Sequence, residues 1–399
     1  MTLKRFLFIL RMLHLNDNTK MPERSSLNFD KLFKVRPILN HFNAVFRQVF
    51  SPSRFLSIDE SMIACKGRSS FKQYLPLKPI KRGFKIWGIF CSVTGYMIGY
   101  DFYAGKTATR EGPLGESVVL GLVRGYENLG YCIFFDRFFS SFSLVKKLLL
   151  KGCFNCSTIL QTKKFFPKDL FKNDKNLTLG EYDYVSTRDM GLVKWKDRGT
   201  KSVCIVSSMD DPSETCSISR KNIHGQKYQL LCPVAVALYN KYMGGVDLFD
   251  QLTSYYNIQW KSRCWWVKVF YYLIDAAVVN SYILYKLEMN KLQKKTVTHL
   301  MFRSQLADQL IGEFCSRVTK KKNVVITKKK FNLSPIVTVP NTEGHLPIKG
   351  TSRCANCSTR NKPVQSNLVC KMCDVALCKV PCFQQFHENM GKATASKLN

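Results

Sequence analysis

The chain has 399 residues, 45% of them apolar and 13% aromatic, enough to bury a sizeable core and to exclude a disordered polycation. Its 61 Lys and Arg stand against 28 Asp and Glu, a formal net charge of +33, which calls for a polyanionic partner: nucleic acid or an anionic membrane. Of 16 cysteines, ten are scattered over the first 315 residues, the pattern of reduced intracellular thiols, and six crowd between positions 354 and 382.

Residues 1–54 read as a helical segment, with apolar positions at helical spacing in RFLFILRML and HFNAVFRQVF and a break at Ser51-Pro52. The first apolar stretch, RFLFILRMLHL, is interrupted by Arg11, is too short to span a bilayer and lacks a small-residue cleavage site. It reads as an amphipathic helix, which leaves nucleic acid as the favoured partner. From Phe55 the texture changes to short β-rich runs: RFLSI, then FKIWGIFCSVTGYMIGYDFYAG with a hairpin signal at 94–95, then YCIFF. The amphipathic SFSLVKKLLLKG follows, so strands and helix alternate and an α/β sheet is indicated. Residues 165–230 lose period and hold fragments such as SVCIVSS, an inserted β-rich subdomain. Helices return after PVAVALYNKYMGG, at 270–289 and near 300–315, and 316–353 looks like a basic linker. The divisions are 1–54, 55–255 with its insertion, 256–315, the linker, and a cysteine-rich module at 354–390.

Most carboxylates in such a chain are solvated surface. Asp59 ends the run FLSI and Asp136 the run YCIFF; a carboxylate at the carboxyl end of a buried strand projects into the crevice where open α/β sheets bind ligands. Asp101 competes on the same criterion. Asp247 follows Gly244-Gly245 at a helix start, and Asp250 falls on its face one turn later, where like charges repel unless a cation shares them. Carboxylate oxygens suit Mg²⁺ or Mn²⁺, and two such ions assist phosphodiester displacement. Helix capping accounts for Asp59 and Asp247 equally well.

Lys66, Arg68, Lys72, Lys78, Lys81, Arg82 and Lys85 form a basic row that would track a phosphate backbone, the alternative being a solvated face. In NIQWKSRCWWVKVF, Trp260, Trp265 and Trp266 alternate with Lys261, Arg263 and Lys268, a mixture suited to stacking on unpaired bases, although aromatics at helical spacing also build cores. In the tail Cys354, Cys357, Cys370, Cys373, Cys378, Cys382 and His387 give paired CxxC knuckles, a strong Zn²⁺ signal. Two interleaved sites are expected, but seven ligands fall one short of eight, so a shared ligand, a water or a single site stays open. The isolated CFNC at 153–156 reads as ordinary thiols.

The stretches FLSIDESMIACKGRSSFKQYLPLKPIKRGFKIW, FFDRFFSS, YNKYMGGVDLFDQL and KSRCWWVKVFYYLIDAAVVNSYILY, followed by a cysteine-rich tail, resemble the piggyBac family of DNA transposases and the proteins domesticated from them. The resemblance implies an RNase H-like catalytic domain with an insertion, flanked by helical segments that dimerise and bind DNA, and a C-terminal zinc module that recognises transposon ends. It implies a metal-dependent DDD site at Asp59, Asp136 and Asp247, with Asp250 close enough to assist, and Trp265 beside a hairpin DNA end. It further implies a nuclear homodimer that takes double-stranded DNA, not a small molecule, and cuts at TTAA sites. Arg137 stands where the family usually has Asn, and the start of the chain falls inside the family's helical region. A domesticated DNA-binding protein that no longer cuts is the second expectation; RNA binding, the third, leaves the aspartates unexplained.

Overall fold

The computed structural model describes residues 1–105, 112–197, 199–258, 262–312 and 345–395, with side chains to 389, in two units, Met1–Ser316 and Arg317–Asn399.

The first unit opens with α1 (Leu3–Met12), N-capped by Thr2, and α2 (Arg36–Gln48), which starts with proline in its first turn. Then come β1 (Phe55–Ala64), the short β2 (Gln73–Tyr74), β3 (Arg82–Cys91), β4 (Met97–Phe102), α3 (Leu114–Leu122), β5 (Cys132–Phe135), α4 (Phe142–Leu150) and β6 (Phe154–Thr158). In the sheet β3 pairs antiparallel with both β1 and β4, whereas β1, β5 and β6 run parallel. The order β4-β3-β1-β5-β6, with that change of sense at β1, is the RNase H-like core that the resemblance implies. All residues of β3 after Arg82 are buried, as befits an inner strand covered on both faces.

The β-rich insertion is built into the same sheet. Beyond β6 the sheet continues through β9 (Val203–Ser207) and β8 (Gly191–Trp195) to β7 (Tyr182–Ser186), all antiparallel, while β10 (Thr215–Lys221) and β11 (Lys227–Pro233) form a separate hairpin. The helices α5 (Val234–Tyr242), α6 (Gly245–Tyr255), α7 (Trp265–Lys291) and α8 (His299–Ile311) complete the unit.

By length and apolarity α7 passes for a membrane-crossing helix, but half of that span is buried inside the protein. Its polar residues fix it there: Asn280 bonds both the N–H and the carbonyl of Met97 on β4, at 3.0 and 2.9 Å. Asp275 accepts Arg303 of α8 at 3.0 Å and the Ile258 N–H, so two connections to α7 converge on one buried carboxylate.

The second unit consists of β12 (Pro347–Arg353) paired antiparallel with β13 (Gln365–Cys370), followed by α9 (Cys382–Ala395). The tail fold therefore reaches upstream of Cys354, into residues that sequence alone assigns to the linker. Its buried apolar cluster is small, Cys354, Leu377 and Cys382 with Val375, Phe383 and Phe386 against them.

Candidate active site and metal centres

Asp59 lies within β1, not at its end. The acid-bearing run does not stop the strand because Glu60 is neutralised by Lys85 from β3, letting Met62 and Ile63 stay buried. Asp136 does follow the last residue of β5, as expected. Ile58 pairs with Phe135 in the parallel ladder, so Asp59 and Asp136 come next on neighbouring strands about 5 Å apart. The Glu60 N–H donates to Asp59 at 2.7 Å and the Phe138 N–H to Asp136 at 2.9 Å. Burial nevertheless pushes Asp59 up to about 6, with the Asp136 charge adding to the rise, and raises Asp136 as well. Asp101, the rival candidate, sits on β4, where its charge acts on Arg36 of α2.

The Gly-Gly pair explains how α6 approaches. A Cβ at Gly245 would run into Ser57 Oγ and lie 3.2 Å from Ser92 Cα, so only glycine lets the helix start rest on β1. This brings Asp250 to β1, where it accepts the Ser61 hydroxyl at 2.7 Å. Burial pushes Asp250 up to about 6 as well, with Asp247 contributing. Asp247 itself, in the first turn of α6, is exposed.

A cavity of about 490 Å³ is lined by Glu60, Ser61, Lys78, Asp247, Asp250 and Tyr272. A second, of about 650 Å³, is lined by Asp136, Arg137, Thr158, Lys201 and Tyr239. The carboxylates thus form two pairs, Asp59 with Asp136 and Asp247 with Asp250, joined through β1. Lys78 lines the first cavity, its ammonium 3.3 Å from Glu60, and its charge favours the ionised forms of Asp59, Asp136 and Asp250. Among the described residues no three carboxylates bring their oxygens within 4.8 Å of one another. The donor chemistry fits a divalent cation, since the Asp136 charge adds to the raised proton affinity of Asp59 and the Asp247 charge to that of Asp250, and a shared positive charge relieves both. Arg137 is exposed at the mouth of the second cavity.

The basic row divides. Lys66, Lys81, Arg82, Arg263 and Lys268 line a cleft of about 780 Å³ together with Tyr74, over which Arg82 stacks at 5.2 Å. Gly67 lets the row reach this cleft, because a Cβ there would strike the Arg263 carbonyl. Arg68 is exposed, and Lys72 closes the loop by donating to the Gly67 carbonyl at 2.8 Å. Lys85 departs from expectation: it is 9% exposed, paired with Glu60 and set over the Phe138 ring, so it stabilises the strand and does not face a phosphate. Trp265 is half-buried, lying edge-on to Phe71 and Phe84 at 5.1 and 6.3 Å and packing against the core. Trp260 and Lys261 lie outside the described residues.

In the tail, Cys354, Cys357, Cys378 and Cys382 form one set whose ligand atoms lie within 4.8 Å of one another; His345, Cys370, Cys373 and His387 form a second. His345 supplies the eighth candidate ligand, which the CxxC spacing could not reveal because it stands alone upstream of the first knuckle. Its Nδ1 is 3.2 Å from Cys373 Sγ and 3.4 Å from Cys370 Sγ. His387 turns Nε2 to Cys373 at 3.6 Å and its Nδ1 to the Phe383 carbonyl, the outer contact that orients a metal-binding imidazole. Burial opposes ionisation of Cys354, but backbone N–H groups of Cys357, Cys378 and Asn356 bring it down to about 6, so a thiolate is accessible near neutral pH. Two complete four-ligand sets of sulfur and imidazole suit structural Zn²⁺.

Comparison with known proteins adds the decisive observation. A family model described as transposase IS4 matches residues 1–282, most of the chain. A solved structure, the cryo-EM piggyBac transposase synaptic complex with hairpin DNA, superposes with a TM-score of 0.69 at 27% identity, covering 95% of this chain and 78% of that one. The chain belongs to the piggyBac transposase family. Human piggyBac transposable element-derived protein 2 is 29% identical over 76% of the chain, and human piggyBac transposable element-derived protein 3 is 25% identical over 96% of it. The chain spans 51% and 63% of the lengths of these two piggyBac relatives.

Proposed function

We propose that this piggyBac-type chain is a metal-dependent DNA strand-cutting and strand-joining protein that acts at TTAA-flanked element ends, as a homodimer in the nucleus. The observation that carries the reading is the placement of Asp59 on β1 beside Asp136 at the end of β5, with α6, which carries Asp247, tied to β1 through Asp250. Asp59, Asp136 and Asp247 would hold Mg²⁺ or Mn²⁺, and such ions, once bound, activate an attacking oxygen and stabilise a leaving one.

The chain's own residues do the rest. Burial keeps Asp59 and Asp136 short of water, so their demand for a cation is high. Ser61 holds Asp250 in place and through it the helix that carries Asp247. Lys66, Lys81, Arg82, Arg263 and Lys268 offer a cleft for the phosphate backbone, and the second unit, once zinc-loaded, presents a folded module for element ends.

The test is nicking of a TTAA-flanked end in Mn²⁺ by the wild type and by Asp136→Ala. The reading requires cutting by the first and loss of at least a hundredfold in the second, with DNA binding kept. The second reading, a domesticated protein that binds without cutting, is favoured by the separation of Asp247 from the Asp59 and Asp136 pair and by Arg137 at the mouth of the second cavity. It predicts tight, salt-dependent binding and no nicks.

A further inference from the structure

The loop between β2 and β3 reaches over the acidic centre and carries one lysine to it. Its base is closed by the Leu75 N–H on the Lys81 carbonyl at 2.8 Å, and Pro76 and Pro79 stiffen its course around Lys78. At the tip, the Lys78 ammonium is 3.3 Å from Glu60 Oε1 and lines the same cavity as Asp247 and Asp250.

Glu60 does not need this partner. Lys85 reaches the other Glu60 oxygen from inside the sheet with a side chain only 11% exposed, which already makes a closed, buried pair. Glu60 thus holds two ammonium groups, and Lys78, the more exposed of them, is the one that also lines the cavity of Asp247 and Asp250. Asp59, Glu60, Asp136, Asp247 and Asp250 supply five carboxylates, and Lys85 is committed to one of them. The Lys78 side chain is 36% exposed, so it can leave for solvent at little cost while its loop stays pinned.

The geometry points to Lys78 as a resident counter-cation of the acidic centre, which sits at Glu60, next to Asp59, and in the cavity of Asp247 and Asp250, and competes with the divalent ion there. The inference rests on the metal-site reading of those aspartates. Lys78 thereby sets how much free metal the site needs, holding the carboxylates together before an ion arrives and giving way when one does. As a positioning residue it touches neither ion nor DNA in this role.

The test is Mn²⁺ binding to the zinc-loaded full chain, read from the free-ion electron paramagnetic resonance signal, for the wild type, Lys78→Met, Lys78→Arg and Asp59→Asn. Removing a unit charge a few ångströms from the ion should tighten Mn²⁺ roughly tenfold in Lys78→Met, while Lys78→Arg stays within about threefold of the wild type and Asp59→Asn weakens binding at least tenfold. The metal-free melting temperature of Lys78→Met should fall and Mn²⁺ should recover it; Lys78→Gln, with a shorter neutral stem, repeats the measurement if the methionine variant does not fold. Unchanged or weaker Mn²⁺ binding in both neutral variants, with Asp59→Asn still impaired, overturns the role of Lys78 alone. Indifference of binding to Asp59→Asn overturns the metal-site reading and the inference with it.

Discussion

Ser61 and Asp250, far apart in the chain, are joined by a hydroxyl-to-carboxylate bond of 2.7 Å that ties α6 to the strand carrying Asp59. The bond is part-buried and Asp250 sits in a low-dielectric setting that pushes it up to about 6. Ser61 thus governs both where the helix lies and how readily its carboxylate ionises.

Ser61→Ala is expected to destabilise the metal-free protein by about 1.5–3 kcal/mol, the range for a hydrogen bond to a charged group. It should also raise the Asp250 pKa further, since the lost bond favoured the ionised form. Denaturant unfolding and carboxyl infrared titration check the two effects.

The raised proton affinity of Asp59 and Asp250 gives a definite pH dependence. Each has a folded value near 6 against an ordinary 3.8, so each contributes stability that is fully present below about pH 4 and is lost as pH rises through 6. In the metal-free protein, the stability of the wild type relative to Asp59→Asn should therefore fall by on the order of 2 kcal/mol across that window. Saturating Mg²⁺ should flatten the difference. Melting curves of the two proteins from pH 4 to 7, with and without the ion, are the measurement.

Gly245→Ala places a methyl group against Ser57 Oγ and the Ser92 backbone. The helix start must move off β1, at a cost of about 1–3 kcal/mol. Binding of DNA should survive, because the basic cleft lies elsewhere on the unit, while nicking falls sharply. An electrophoretic shift assay alongside a nicking assay separates the two.

The division of the basic row predicts different behaviour for neighbouring cations. Arg82→Ala should lower the slope of DNA affinity against salt by about one, as loss of a phosphate contact does. Lys85→Ala should leave the slope unchanged and instead destabilise the fold, because Glu60 loses its buried partner. Salt titrations of binding and thermal melts distinguish the pair.

For the tail, zinc released by denaturation and counted with a chromogenic chelator should give two ions per chain for the wild type. His345→Ala should give one, with the cysteine set still loaded.

The neighbouring placement of Asp59 and Asp136 was readable because each acid borders an apolar run, and apolar runs make inner strands. The length of β1 was not, since the run FLSI ends at the acid Asp59 in the sequence, and only the pairing of Glu60 with Lys85 of β3 lets the strand run on through the acids. Lys85 misled because a lysine has the same letter whether it meets solvent or a partner across the sheet. His345 carried no signal because a ligand without a spacing motif is an ordinary histidine until the hairpin of β12 and β13 folds it back. The strands of the insertion were visible, but their joining to β6 depends on a long-range register that alternation cannot specify.

The two ligand sets of the tail alternate along the chain: His345 precedes the first cysteine pair, and His387 follows the last. A Zn²⁺ ion in each set would therefore bridge the two sides of any cut between Cys357 and Cys370. Such ions would act as removable cross-links, so a nicked, zinc-loaded tail should stay in one piece until a chelator withdraws them.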